Sequence, residues 1–361
     1  MKDFYYVIDE LIKNEIDMNQ TIAIYPMGKV GLLAKDILVN RYGHTGIFLD
    51  NQLAQYNKEI IDIDKFAELD NANITIILCA SNPILNKEII NNLREKKLKS
   101  KIMNILDVPL IQPEKKDYFA SIKKLCQVKK AIGYELVRVG GHHDGGYIML
   151  NDFENKKIAY SFGIGYDVSW EEWISRKGNI IIHCFDHTVN GLPIENDRMF
   201  FHKIGIAGVD YRSDNLLSID SILQANAHER ETDIILKMDV EGAEWDFFQT
   251  VSSDTLNRFS QMTFELHGMI NRDEGKIIRA LEKINKTHQA VWIHANNSGG
   301  IARAGCIMMP DLLEITYVNK QNYMFTDTSY NCPLDIDSPN IEAYPDIVLR
   351  NWGSLETDMN L

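Results

Sequence analysis

Apolar positions along the chain change their period repeatedly, and short apolar runs alternate with stretches at helical spacing. Residues 1–16, MKDFYYVIDELIKNEI, place apolar residues on one helical face and predict a short amphipathic helix. The run TIAIY, Thr21–Tyr25, predicts a strand. Gly28 and Gly31 frame a turn into a helix over about 29–41, and residues 45–49 predict a second strand that ends at Asp50. NITIILCA (73–80) reads as a third strand, followed by a helix over 82–98 with Pro83 near its start, and residues 100–106 as a fourth strand. Strands alternating with helices define a small parallel α/β unit, assigned to residues 1–106.

Residues 107–133 break that rhythm with Pro109, Pro113 and the charged PEKKDYF, and read as a linker running into a helix. Two short extended runs then flank a turn that holds Gly140, Gly141, Asp144, Gly145 and Gly146. A second alternation follows. Strands are expected at 157–165, 179–186, 200–208, 233–239, 261–268, 290–297 and 309–318, with helices between most of them. Seven strands arranged this way fit a doubly wound α/β domain, assigned to residues 134–361.

Bulk properties narrow the picture without naming a chemistry. A chain of 361 residues suits two domains, and 45% hydrophobic with 25% charged residues is ordinary for a soluble globular protein. A net charge of −13 and the lack of a dense Lys/Arg stripe argue against nucleic acid as a partner. Five scattered cysteines show no zinc spacing and suit a reducing compartment. The N-terminus lacks the apolar centre of a signal peptide, and no run reaches membrane-spanning length. The expectation is a cytoplasmic protein.

Ligands of a doubly wound sheet sit at the carboxyl ends of its strands. The first strand of the second unit ends in Gly163 and Gly165, which allow a ligand to approach the backbone. The second ends in Asp186, 21 residues beyond Gly165, where an acid accepts hydrogen bonds from the ribose of an adenosine-containing cofactor. These three do not separate NAD from S-adenosylmethionine. The fourth strand ends at Asp239, where an uncompensated buried carboxylate would be costly. Glu241 and Glu244 follow, and the positive end of the next helix accounts for both. In the fifth strand, Glu265 and His267 alternate with Phe264 and Leu266, although a central parallel strand should be apolar on both faces. The sixth contributes His294, Asn296 and Asn297.

The blocks SIDSILQ, DIILKMDVEGAEWDFF, MTFELHG, HANN and MPDLLEITYV resemble the FkbM-type S-adenosylmethionine-dependent methyltransferases. RVGGHHDGGYIML with AYSFGIGYDVSWEEW and CFDHT resembles a related methyltransferase-like branch. The resemblance covers roughly residues 134–345 and implies a Rossmann-like class I methyltransferase domain. It assigns Gly163, Gly165 and Asp186 to the cofactor and lets the Asp144–Tyr147 turn close over it. Many members carry a more glycine-rich first loop preceded by Asp, where this chain has Ser161 and Phe162. The implied reaction is O-methylation of a sugar hydroxyl, on a nucleotide-linked hexose or heptose of a bacterial capsular polysaccharide or other surface glycan.

Within that reading, His267 is the expected general base, positioned by Asp239 or Glu265. The alternative is a divalent metal held by Asp239, Glu265 and His267. His294, Asn296 and Glu241 are expected to contact the substrate. The first unit resembles small Rossmann-like nucleotide-binding domains fused to capsule-cluster enzymes, but Pro26 stands where a first glycine would be. Its expected role is homo-oligomer assembly or substrate presentation. The competing functions are an NAD-dependent sugar-modifying oxidoreductase and a non-catalytic nucleotide-sugar-binding protein.

Overall fold

A computed structural model describes residues 2–69, 71–107, 110–305, 307–342 and 346–353. Cys306 and residues 354–361 of the expected second domain lie outside the described residues. The chain forms two compact units. Unit 1 comprises residues 1–113 and 300–305, and unit 2 residues 114–299 and 306–361.

Unit 1 holds a five-stranded parallel sheet of β1 (Thr21–Tyr25), β2 (Ile47–Leu49), β3 (Ile60–Ile61), β4 (Ile74–Leu78) and β5 (Lys101–Asn104), in the order β3-β2-β1-β4-β5. Helix α1 (Lys2–Glu15) is amphipathic as expected. Val7, Ile8, Leu11 and Ile12 pack with Ile22 and Ile24 of β1 and with Val30 and Ala34 of α2 (Lys29–Asp36). Each such aliphatic side chain contributes about 1.5–3 kcal/mol when fully buried. Beyond Asp36 the helix widens into a π turn over Ile37–Arg41, so the predicted 29–41 segment is helical throughout but not uniformly α. Helix α3 (Pro83–Glu95) begins where Asn82 accepts hydrogen bonds from the Ile84 and Leu85 amides, with Pro83 at the first position. Short pieces escaped the sequence reading, among them the helix Ile63–Ala67. Strand β3 is only two residues long, and Ile301–Ala304 returns to pair in parallel with Leu110–Ile111.

Unit 2 is built on a seven-stranded sheet. Its strands are β6 (Ile158–Phe162), β7 (Ile181–Phe185), β8 (Met199–His202), β9 (Ile234–Met238), β10 (Phe259–His267), β11 (His288–Ala295) and β12 (Leu312–Asn319). The order is β8-β7-β6-β9-β10-β12-β11, and β12 runs antiparallel between β10 and β11. The other pairs are parallel. This is the Rossmann-like α/β arrangement expected, with the order reversing between β6 and β9. Every residue of β9 and β10 is buried, as a central strand covered on both faces requires. The helices α4 (Ser169–Ser175), α5 (Ile219–Ala225), α6 (Glu244–Thr250) and α7 (Glu274–Ile284) connect the strands. Ser218 and Asp273 cap α5 and α7 by accepting from the Ser221 and Lys276 amides. The glycine-rich turn joins a hairpin of Leu136–Val139 and Tyr147–Leu150.

Candidate active site

At the carboxyl ends of β6, β7 and β9 lies a cavity of about 390 Å³. Its wall includes Gly163, Gly165, Asp186, Asp144, Asp239 and Glu241 among the residues expected from the sequence. It also includes Tyr166, Asp167, Thr188 and Lys237, which the sequence reading passed over. The volume falls in the range of small-molecule and cofactor sites.

The turn after β6 is fixed by its neighbours on both sides. The Gly163 amide donates to the Phe185 carbonyl and the Asp239 amide to the Phe162 carbonyl, both at 3.0 Å. Gly163 has φ +76°, and a Cβ there would stand 1.6 Å from the Asp239 carbonyl oxygen. Only glycine permits this approach. Gly165, at φ +54°, would meet nothing within 4 Å. Asp186 organises the loop. Its Oδ2 accepts from the Ile164 and Gly165 amides at 3.0 Å, and its Oδ1 from the Thr188 amide and hydroxyl at 2.7 and 2.6 Å. Burial alone would raise its pKa, but these donors outweigh burial and hold the carboxyl below its ordinary value. Both oxygens are thus engaged by the chain itself.

Below the turn, Lys237 is buried inside the apolar run IILKM. Its Nζ donates to the Gly163 carbonyl at 3.1 Å and pairs with Glu171 at 3.5 Å, and Ser161 donates to the same Glu171 oxygen. Burial lowers the pKa of Lys237, yet Glu171 and Asp239 outweigh it and raise it, so the ammonium stays charged. A lysine within a strand and a glutamate within SWEEW were the available sequence signals, since charged residues at core positions need partners.

The acids and histidine predicted at the strand ends do converge. His267 Nε2 stands 3.5 Å from Glu265 Oε1, 3.5 Å from Glu241 Oε2 and 3.8 Å from Asp239 Oδ1. Glu265 and His267 sit behind Asp239 and Glu241 rather than on the cavity wall. Burial, opposed by Lys237 and His267 and assisted by Asp144 and Glu241, pushes the Asp239 carboxyl up to about 6. Burial and the neighbouring Asp239 and Glu314 carboxylates push Glu265 well above its ordinary value. Burial lowers the pKa of His267, but the facing Glu244, Asp239 and Glu241 carboxylates outweigh it and raise it. Glu244 does begin α6, yet its role is more specific than helix-end electrostatics. It is fully buried and accepts from the Gly242 and His267 amides, each at 2.8 Å. Glu241 lies before the helix, with φ +54° and an exposed side chain.

The remaining candidates divide. Asn296 donates to Glu265 Oε1 at 3.2 Å and so belongs to the cluster. Tyr147 is buried and directs its hydroxyl at Asp239 Oδ2, 3.5 Å away, so of the expected turn Asp144 reaches the cavity and Tyr147 does not. His294 is set apart. Its Nδ1 contacts Glu314 Oε2 and its Nε2 contacts Asp346, both at 3.0 Å. These partners overcome burial and push its pKa up to about 10. A doubly held imidazolium has no nitrogen left for a substrate, which corrects the direct-contact role expected of His294. Asn297 accepts from the Ile341 amide and also ties down the segment after β12.

Among the described residues no helix is long and apolar enough to cross a membrane. The family profile of the methyltransferase FkbM domain matches residues 127–291. No curated protein matches the chain significantly. Among solved structures, methyltransferase FkbM from Methylobacillus flagellatus KT is similar at 11% identity and a TM-score of 0.39, over 86% of this chain and 93% of that one. The Methanococcus jannaschii fibrillarin pre-rRNA processing protein is similar at 7% identity and a TM-score of 0.29, over 53% of this chain and 85% of that one. Likenesses this remote add nothing to the reading of the site.

Proposed function

We propose, from the premise that residues 127–291 are a methyltransferase FkbM domain, that the chain is an S-adenosylmethionine-dependent O-methyltransferase acting on a sugar hydroxyl. The observation that carries the reading is the meeting of two features on one cavity wall. The Gly163–Gly165 turn, held by Asp186, opens onto the cavity, and the same wall contains Asp239 of the acid and histidine cluster. The open space above Gly165 and the tight Gly163–Asp239 approach fit a cofactor lying against the backbone at this strand switch. Bound there, S-adenosylmethionine would supply an electrophilic methyl group.

The chain has two tasks. It must hold an acceptor oxygen in line, and it must manage that oxygen's proton. The Asp144, Asp167 and Glu241 side chains on the wall suit a polyhydroxyl acceptor, which presents many donors. Asp239, Glu265 and His267 activate the reacting hydroxyl, either with His267 as base or as ligands of a cation. The family resemblance supports a nucleotide-linked hexose or heptose for a capsular or other surface glycan. Incubation with S-adenosylmethionine and a panel of nucleotide sugars should add the mass of one methyl group to one of them. S-adenosylhomocysteine, and not NAD, should raise the melting temperature. Stabilisation by NAD alone would turn the reading toward an oxidoreductase.

A further inference from the structure

We propose that Asp239, Glu265 and His267 bind a divalent transition-metal cation of the Mn²⁺ type, which receives the acceptor hydroxyl. The use of that cation rests on the methyltransferase reading, whereas the site itself does not. One oxygen or nitrogen from each of the three side chains lies within 4.8 Å of the others. Neighbouring donors held about 2.1 Å from a common cation stand roughly 3.0–3.4 Å apart. The 3.5 Å from His267 Nε2 to Glu265 and the 3.8 Å to Asp239 are too long for good hydrogen bonds and close to those separations.

A second observation concerns the imidazole itself. The His267 side chain is 9% exposed, and its Nδ1 has no hydrogen-bond partner. Nδ1 faces Glu244 Oε1 at 3.3 Å without meeting hydrogen-bond geometry, while Nε2 is aimed among Asp239, Glu241 and Glu265. A carboxylate behind one ring nitrogen is the usual device for orienting the other toward a metal. Glu244 is itself immobilised by the Gly242 and His267 amides. On the far side, Asn296 holds Glu265 Oε1 in place. Charge points the same way. Four carboxylates surround one imidazole, an arrangement that a doubly charged cation balances. One imidazole with carboxylates favours Mn²⁺-type ions over Mg²⁺ or Ca²⁺, which prefer oxygen alone.

A second triad, His294, Cys332 and Asp337, also has its donor atoms within 4.8 Å of one another. There both His294 nitrogens are engaged, and Asp337 accepts from the Trp292 indole at 2.9 Å and the Leu334 amide at 2.6 Å. That set is already satisfied without an ion, which makes it a control. The experiment is titration of the metal-free full chain with Mn²⁺, followed by loss of the free-ion electron paramagnetic resonance signal. The expected result is one Mn²⁺ per chain, bound at least tenfold more weakly by Glu265→Gln and Asp239→Asn and unchanged in Cys332→Ser. Each variant's fold is checked by its melting curve, and using two conservative variants covers the failure of either to fold. Absence of binding, or binding lost only in Cys332→Ser, overturns the proposal. S-adenosylhomocysteine binding is measured separately on the same samples. If it persists where Mn²⁺ does not bind, the cation falls and the methyltransferase reading stands. The reverse outcome removes the methyltransferase reading alone.

Discussion

Both units build the turn after their first strand around an aspartate, yet the neighbouring strand ends carry different side chains. In unit 1, Asp50 follows β2, accepts from the Met27 amide at 3.1 Å and caps the Gln52 and Leu53 amides at 2.9 Å. In unit 2, Asp186 follows β7, accepts from the Ile164 and Gly165 amides and caps Thr188. The backbone device is shared. The difference lies in the next strand ends. After β4 come the buried Cys79 and Ala80, whereas β9 leads to Asp239 and β10 ends in Glu265, Leu266 and His267. A Rossmann-like frame therefore offers a position, and the side chains at the strand ends decide whether chemistry occurs there.

The sharpest way to break this contrast is to remove side chains from each end. Glu265→Gln and His267→Ala should each lower turnover by about 10²–10⁴-fold, the usual range for loss of proton management. S-adenosylhomocysteine affinity should stay within a few-fold of wild type, read by calorimetry. Asp50→Asn should leave turnover within about twofold, since it disturbs a turn in unit 1. If Asp50→Asn proved as damaging as His267→Ala, the division of labour would be wrong.

Glycines give the next test, because in each unit a glycine after the first strand is pressed against backbone. A Cβ at Gly163 would meet the Asp239 carbonyl, and one at Gly31 would stand 2.1 Å from the Pro26 carbonyl. Alanine at either position should cost about 1–3 kcal/mol or more through overpacking, measured by denaturant unfolding. Only Gly163→Ala should also weaken S-adenosylhomocysteine binding. Equal loss of binding in Gly31→Ala would assign the cofactor differently. An effect of similar size is expected from Asp186→Asn. Its amide NH₂ would confront N–H donors now met by a carboxylate oxygen, at about 1–3 kcal/mol of stability.

Much of this was legible in the chain because central strands must be apolar on both faces. The exceptions in MTFELHG therefore stood out, and Asp239, Glu265 and His267 do meet. All seven strands of the large sheet fall on the apolar runs that predicted them, although β8 stops at His202 where the run continued to 208, and Gly205–Ile206 pairs in a separate sheet. What could not be read depends on partners remote in sequence. Nothing near His294 announces that Glu314 and Asp346 will hold both its nitrogens. Lys237 gives no sign in the sequence of its partner Glu171, 66 positions earlier. Strand β3 and Ile301–Ala304 were missed because two to four residues carry too little periodicity to register.

A last contrast separates the units by acidity. Unit 1 carries a single histidine, His44, whereas unit 2 contains the cluster of His183, His202 and His228. His183 Nδ1 lies 3.0 Å from His202 Nε2, and Tyr160 bonds His228 at 2.8 Å. Burial, with His202 and His228 adding to it, lowers the pKa of His183 to about 4. Burial lowers that of His202 as well. The unfolded chain therefore binds protons that His183 and His202 refuse in the folded chain. Stability is complete above the ordinary histidine value near 6.5 and falls as pH drops from there toward about 4. Partial exposure limits the loss to about 1–3 kcal/mol. His183→Gln should flatten that slope when unfolding is followed between these pH values by unit 2 tryptophan fluorescence. An unchanged slope would place the acid sensitivity elsewhere, with His288, whose pKa burial also lowers to about 4, as the next group to test.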